Sequence, residues 1–272
     1  METFVVNGLA YDIIDADKKE VEVHWPDLGY VGKFYHSFSW DSKTIDRILA
    51  KNPTGILGIP ENVVNPKDGT SYTVVEVGGY CKIRYETFDK VWDRRLKLGY
   101  KEVDLKEDYS FVYGLSYAKI TEVRLPKSIR KIRPYAFLST DLTKIVFPKG
   151  VTEIMGSCFK SCHHLKEIEF PEGIKEIPYE CCWSCYGLKE IKIPASVKVI
   201  QKDAFGYCKN LKKVIIPSSV DLIREGAFKY CDGLKEAIIY NNDGVITIEN
   251  GAFPSETKIT YKSGMLSKLL GK

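Results

Sequence analysis

Eight cysteines and four histidines are the residues with the most chemistry to offer in this 272-residue chain. Cys182-Trp183-Ser184-Cys185 spells C-x-x-C, a spacing used for zinc binding and for thiol redox chemistry. No second C-x-x-C or C-x-H pair completes a four-ligand set with it. His163-His164 stands immediately before Leu165 and reads as a solvated turn. Serine-hydrolase, zinc-protease, P-loop and dinucleotide fingerprints do not occur. The expectation is a chain with no catalytic residues, no metal and no cofactor.

The cysteines have a different regularity. Cys162, Cys185, Cys208 and Cys231 recur at 23-residue steps. Such spacing has a structural origin, and it predicts a column of interior thiols acting as small hydrophobes. Column neighbours would lie ~5 Å apart with parallel Cβ vectors, which does not favour disulfides. Aromatic residues are the better candidates for binding. Trp183 stands where other periods carry Leu138, Lys160, Gly206 and Lys229. Tyr186 stands where they carry His163, Lys209 and Asp232, and Tyr207 and Tyr230 share a column with Ser161 and Ser184. The expectation is that Trp183 and Tyr186 face outward and that these four aromatics are binding anchors. Val146, Ile215 and Ile238 replace charges such as Arg124, Glu169 and Lys192 on a strand face, and predict an apolar patch near the C-terminal periods.

The elements that position these residues follow from the period itself. Pro126, Pro148, Pro171, Pro194 and Pro217 are 22, 23, 23 and 23 residues apart. Around each, apolar residues hold fixed places, as in Glu190-Ile191-Lys192-Ile193-Pro194, where alternation marks a half-buried strand. Proline ends that strand because it has no N–H for the ladder. Val199-Ile200 supplies a second extended piece, and Asp203-Ala204-Phe205 through Leu211 reads as a short helical or 3₁₀ turn. No 23-residue unit can bury its apolar side alone, so the units must stack. The fold class is mainly β with short helical or 3₁₀ turns, a solenoid of stacked parallel strands.

The pattern L-K-E-I-x-I-P-x-S-V-x-x-I-x-x-x-A-F-x-x-C-x-x-L resembles the BspA-type leucine-rich repeats, and Leu188 to Leu234 fit it almost position for position. The resemblance implies a secreted or cell-surface module for adhesion or protein binding. The best repeats run over residues 121–253 inside a solenoid of 54–256. Residues 1–53 are expected to form a strand-rich cap with a degenerate first repeat, and 257–272 a C-terminal cap with a short helix. Weaker units start at Glu22-Val23-His24, at Ile59-Pro60, resuming at Val75-Glu76-Val77, and at Lys101 to Leu105.

Composition narrows the function classes. A hydrophobic fraction of 44% and a charged fraction of 28% exclude disorder. The net charge of +4 does not argue for nucleic acid. No apolar run is long enough for a membrane span, and Met1-Glu2-Thr3-Phe4 is not a signal peptide. Charged columns, such as Glu122, Lys144, Glu167, Glu190, Lys213 and Glu236, read as solvation and edge protection. The expected partner is a protein or a glycan bound to a monomer, outside the cell according to the resemblance, with the cytoplasm as the alternative. A carbohydrate module using Trp183 and Tyr186 as a stacking platform, or a spacer without a ligand, are the other readings.

Overall fold

The computed structural model describes residues 2–24, 54–78, 119–240 and 246–263. The sequence units at Lys101 to Leu105 and the helix expected after Gly264 lie outside the described residues. The period appears as rungs of two strands each. The longer strands are β7 (Lys119–Arg124), β9 (Lys144–Val146), β11 (Glu167–Glu169), β13 (Glu190–Lys192) and β15 (Lys213–Ile216), which precede the prolines, and β17 (Glu236–Tyr240) and β19 (Lys258–Lys262), which continue the series without one. From β9 to β19 they form one parallel sheet in sequence order, and β7 pairs with β4 (Thr54–Gly58). The register is set by the period: Glu190, Ile191 and Lys192 lie opposite Lys213, Val214 and Ile215.

Shorter strands follow the prolines. They are β8 (Lys131–Ile132), β10 (Glu153–Ile154), β12 (Glu176–Ile177), β14 (Val199–Ile200), β16 (Leu222–Ile223) and β18 (Thr247–Ile248). β12, β14, β16 and β18 pair in parallel as a second ladder. The N-terminal cap continues the first end of this side. β1 (Thr3–Val6), β2 (Leu9–Asp15) and β3 (Glu20–His24) are antiparallel, and β3 then runs parallel to β6 (Ser71–Val77), which pairs with β8. The stretch Glu22-Val23-His24 is therefore a strand, aligned with the short ladder. β5 (Asn62–Val64) folds back on β6, so the insertion after Val64 is a hairpin turn.

The interior is filled column by column. Phe137 stacks on Phe159 at 5.5 Å, Phe205 on Phe228 at 5.3 Å and Phe228 on Phe253 at 4.9 Å. Cys182 interrupts that phenylalanine column, and Phe170 of the same rung meets Phe205 edge-on at 6.2 Å. All seven described cysteines are buried and free. Each thiol of the 23-residue column donates to a carbonyl one rung back: Cys162 to Phe137, Cys185 to Phe159, Cys208 to Cys182 and Cys231 to Phe205, at 3.0–3.2 Å. In the first rung Thr140 holds that column place and caps Phe137 with its hydroxyl. Burial raises the pKa of the Cys162, Cys185 and Cys208 thiols, so they remain protonated donors.

The helical or 3₁₀ turns expected after the second strand do not form; no helix occurs among the described residues. Left-handed residues prevent it. Tyr135, Ser157, Glu180, Asp203 and Gly226 have positive φ nine residues after their prolines, and Ser139, Ser161, Ser184, Tyr207 and Tyr230 thirteen after. A right-handed helix cannot pass such a residue. The conformation turns alternate N–H groups outward along the stack: Asp203, Phe205 and Tyr207 donate to Glu225, Ala227 and Lys229 of the next rung. Ala204, Gly206 and Cys208 close turns within their own rung.

Candidate functional site

Those outward-turning N–H groups hold the turns of successive rungs in register, and the register aligns their side chains. On this turn edge Trp183, Tyr207 and Tyr230 form a continuous ladder across three rungs. The Trp183 and Tyr207 ring centroids are 4.7 Å apart at 61°, and those of Tyr207 and Tyr230 are 4.4 Å apart at 40°. Beside it, Tyr186 stacks flat on His163 of the preceding rung at 4.6 Å. Of the four aromatic residues singled out by spacing, the structure brings Trp183, Tyr207 and Tyr230 into contact, while Tyr186 pairs separately with His163.

Their exposure differs from the sequence expectation. Trp183, Tyr186 and Tyr207 are half-buried, and only Tyr230 is well exposed, at 45%. Trp183 is only partly exposed because the next rung carries Gly206 in the same column. A Cβ on Gly206 would come within 2.3 Å of the indole ring, so the missing side chain is the space that Trp183 fills. Lysines complete the edge. The Lys160 ammonium lies 5.8 Å from the Trp183 ring, Lys209 5.9 Å from Tyr186 and Lys229 4.8 Å from Tyr230, all within cation–π reach. Lys160 is also paired with Glu180 at 2.8 Å. Burial, and secondarily the charge of His164, lowers the pKa of His163, so it stacks as a neutral ring at pH 7.

On the strand face, Val146 is 54% and Ile215 37% exposed. Ile238 is not part of an exposed patch: it is only 6% exposed, with Ile215 and Thr260 in register on the two flanking strands. Val146 and Ile215 are themselves separated by Glu169 and Lys192 in the intervening strands. The strand face is instead mainly ionic. Lys144 pairs with Glu167 at 2.6 Å and Lys213 with Glu236 at 2.9 Å. The cation partners that sequence spacing missed, Lys209 and Lys229, were visible one position before or one rung beyond their rings.

Among the described residues no cluster of three or more His, Cys, Asp or Glu side chains could hold a metal ion. Stacked parallel strands, proline-ended rungs and a phenylalanine-lined core define a leucine-rich-repeat solenoid. The BspA type leucine rich repeat region matches residues 107–212 and 198–263, in six copies, and the chain belongs to this family. A leucine-rich repeat protein from Bacteroides ovatus ATCC 8483 is similar in fold, with 24% identity and a TM-score of 0.52; the alignment covers 96% of this chain and 57% of that one. The chain thus spans little more than half the length of that protein. The T. pallidum leucine rich repeat protein aligns over 96% of this chain and 86% of its own, with 19% identity and a TM-score of 0.42. No curated protein matches. The family is one of protein-interaction repeats and is typically non-catalytic.

Proposed function

We propose that this chain is a non-catalytic module of a secreted or cell-surface protein, and that it binds a protein partner through the turn edge. The observation that carries the reading is the ladder of Trp183, Tyr207 and Tyr230, flanked by Tyr186. Rigid, half-buried aromatics lose little conformational entropy on binding and make good anchors. A sugar-stacking platform is less well supported. Tyr186 lies between His163 and Lys209, and Trp183 is covered by Gly206 and Tyr207, so both offer ring edges rather than open faces.

The test is interferometry of the full chain against a panel of purified extracellular and matrix proteins. With a verified partner, Tyr230→Ala and Trp183→Ala should each raise the dissociation rate at least ~5-fold, about 1 kcal/mol. Lys192→Ala should alter chiefly the salt dependence of association. A partner indifferent to both aromatic substitutions, yet lost on Val146→Glu or Ile215→Glu, would move the binding face to the strands.

A further inference from the structure

A second surface lies where each turn enters the long strand. Lys166, Lys189, Lys212 and Lys235 immediately precede β11, β13, β15 and β17, so they repeat at 23-residue steps on four consecutive rungs. All four are exposed, and none has an ion pair among the described residues. Their backbones are in register: Lys166 donates to Thr143, Lys212 to Lys189, Lys235 to Lys212 and Lys258 to Lys235, at 2.8–3.1 Å. The column is bounded by Thr143 and Thr257, whose hydroxyls bond back to Thr121 and Leu234. The adjacent column behaves differently. It mixes signs, and Lys144 pairs with Glu167 and Lys213 with Glu236, which leaves Glu190 as the carboxylate of that column without an ion pair among the described residues. Four like charges aligned one per rung, at about 4.8 Å spacing, repel each other unless an anion array covers them.

We propose that this lysine column binds a linear acidic polysaccharide bearing one carboxylate or sulfate per sugar. The array is straight and single-file, its period is close to the rise per sugar of an extended chain, and the long, exposed lysine stems can follow acid groups that turn about the chain axis. An acidic peptide strand fits less well, because its same-face side chains repeat at about 6.6 Å. Single-stranded nucleic acid needs aromatic faces for successive bases, and the column itself offers none, since its four members are all lysines. This inference uses other residues than the aromatic ladder and does not depend on a protein partner there.

Oligogalacturonides of increasing length, titrated into the full chain by calorimetry, provide the test. Affinity should rise with each added uronate up to four and then level off. The variant Lys166→Gln/Lys189→Gln/Lys212→Gln/Lys235→Gln should bind at least ~10-fold more weakly and with a shallower salt dependence, because fewer counterions are released. A control that removes four charges elsewhere without breaking an ion pair, Lys127→Gln/Lys149→Gln/Lys175→Gln/Lys262→Gln, should bind as wild type does. Equal loss in both variants, or affinity independent of length, overturns the proposal. So does tighter binding of single-stranded DNA or poly-glutamate through the same four lysines. Circular dichroism of both variants verifies that each is folded.

Discussion

The cap and the repeat stack share a continuous sheet through β3, β6 and β8, yet they are held together differently. In the cap, ionisable groups are buried. Asp12 and His24 face each other at 3.4 Å, and Glu22 lies 3.2 Å from Arg133, with Glu76 on the other side of that guanidinium at 3.5 Å. Burial alone would raise Asp12, but hydrogen bonds from His24 and Thr3 outweigh it and hold its carboxyl below the ordinary range. Glu22 has no such support. Burial outweighs Arg133 and pushes it up to about 7. In the stack the buried side chains are apolar, thiol or hydroxyl, with no buried charge among the described residues, and the polar backbone groups are satisfied within the rung or by its neighbours. Regular stacking can dispense with buried charge, whereas the join between an irregular cap and the first rung uses it.

The largest effect should come from the stack. Phe205 is fully buried and touches Phe228 and Phe170, so Phe205→Ala should cost about 3–5 kcal/mol in urea unfolding. A loss under about 1 kcal/mol would mean that rungs relax around voids and that the stack is looser than its packing indicates. Next comes the cap. A carboxyl whose folded pKa is raised contributes stability below its unfolded value, near 4.5, and loses it as pH rises through about 7. The wild type should therefore weaken between pH 5 and 8 by up to roughly 3 kcal/mol. Glu22→Gln should remove most of that slope, as read from urea midpoints at the two pH values. Parallel curves for the two proteins would show that the cap charge is not what separates the regions.

The smallest effect concerns the turns. The cap hairpin turns through Asn7 and Gly8, residues suited to positive φ, whereas the stack uses serine, tyrosine, aspartate and glutamate in the same conformation. Ser161→Gly should therefore stabilise the protein by ~0.5–1 kcal/mol in thermal unfolding, after the greater freedom of glycine in the unfolded chain is deducted. Asn7→Ala should destabilise it by a similar amount. A destabilised Ser161→Gly would show that the serine contributes more than its backbone conformation.

How much of this could be read from the chain follows the same division. The proline period gave the parallel register and the interior face of Cys162, Cys185, Cys208 and Cys231. Those features repeat, so each column is read several times. The turns could not be read as easily, because serine or tyrosine at positive φ has no compositional sign of the kind glycine gives. The position of Trp183 depended on a pairing between rungs: its burial is explained by Gly206 exactly one period on, a contrast visible only when adjacent units are compared as neighbours. Ile238 was misplaced for the same reason, since its environment is set by the strands beside it rather than by its own. The buried charges of the cap belong to a single, unrepeated arrangement that no period could indicate.

The outward N–H groups of each turn have a consequence for how such a protein can change length. Asp203, Phe205 and Tyr207 each rely on an acceptor in the following unit, so a unit copied whole arrives with its donors and acceptors already matched. A duplication that copied only part of a unit would strand the donors of the turn before it. Growth by whole units is therefore nearly neutral to folding, while it lengthens every surface column by one residue, and natural selection can adjust the reach of the binding surface without redesigning the core.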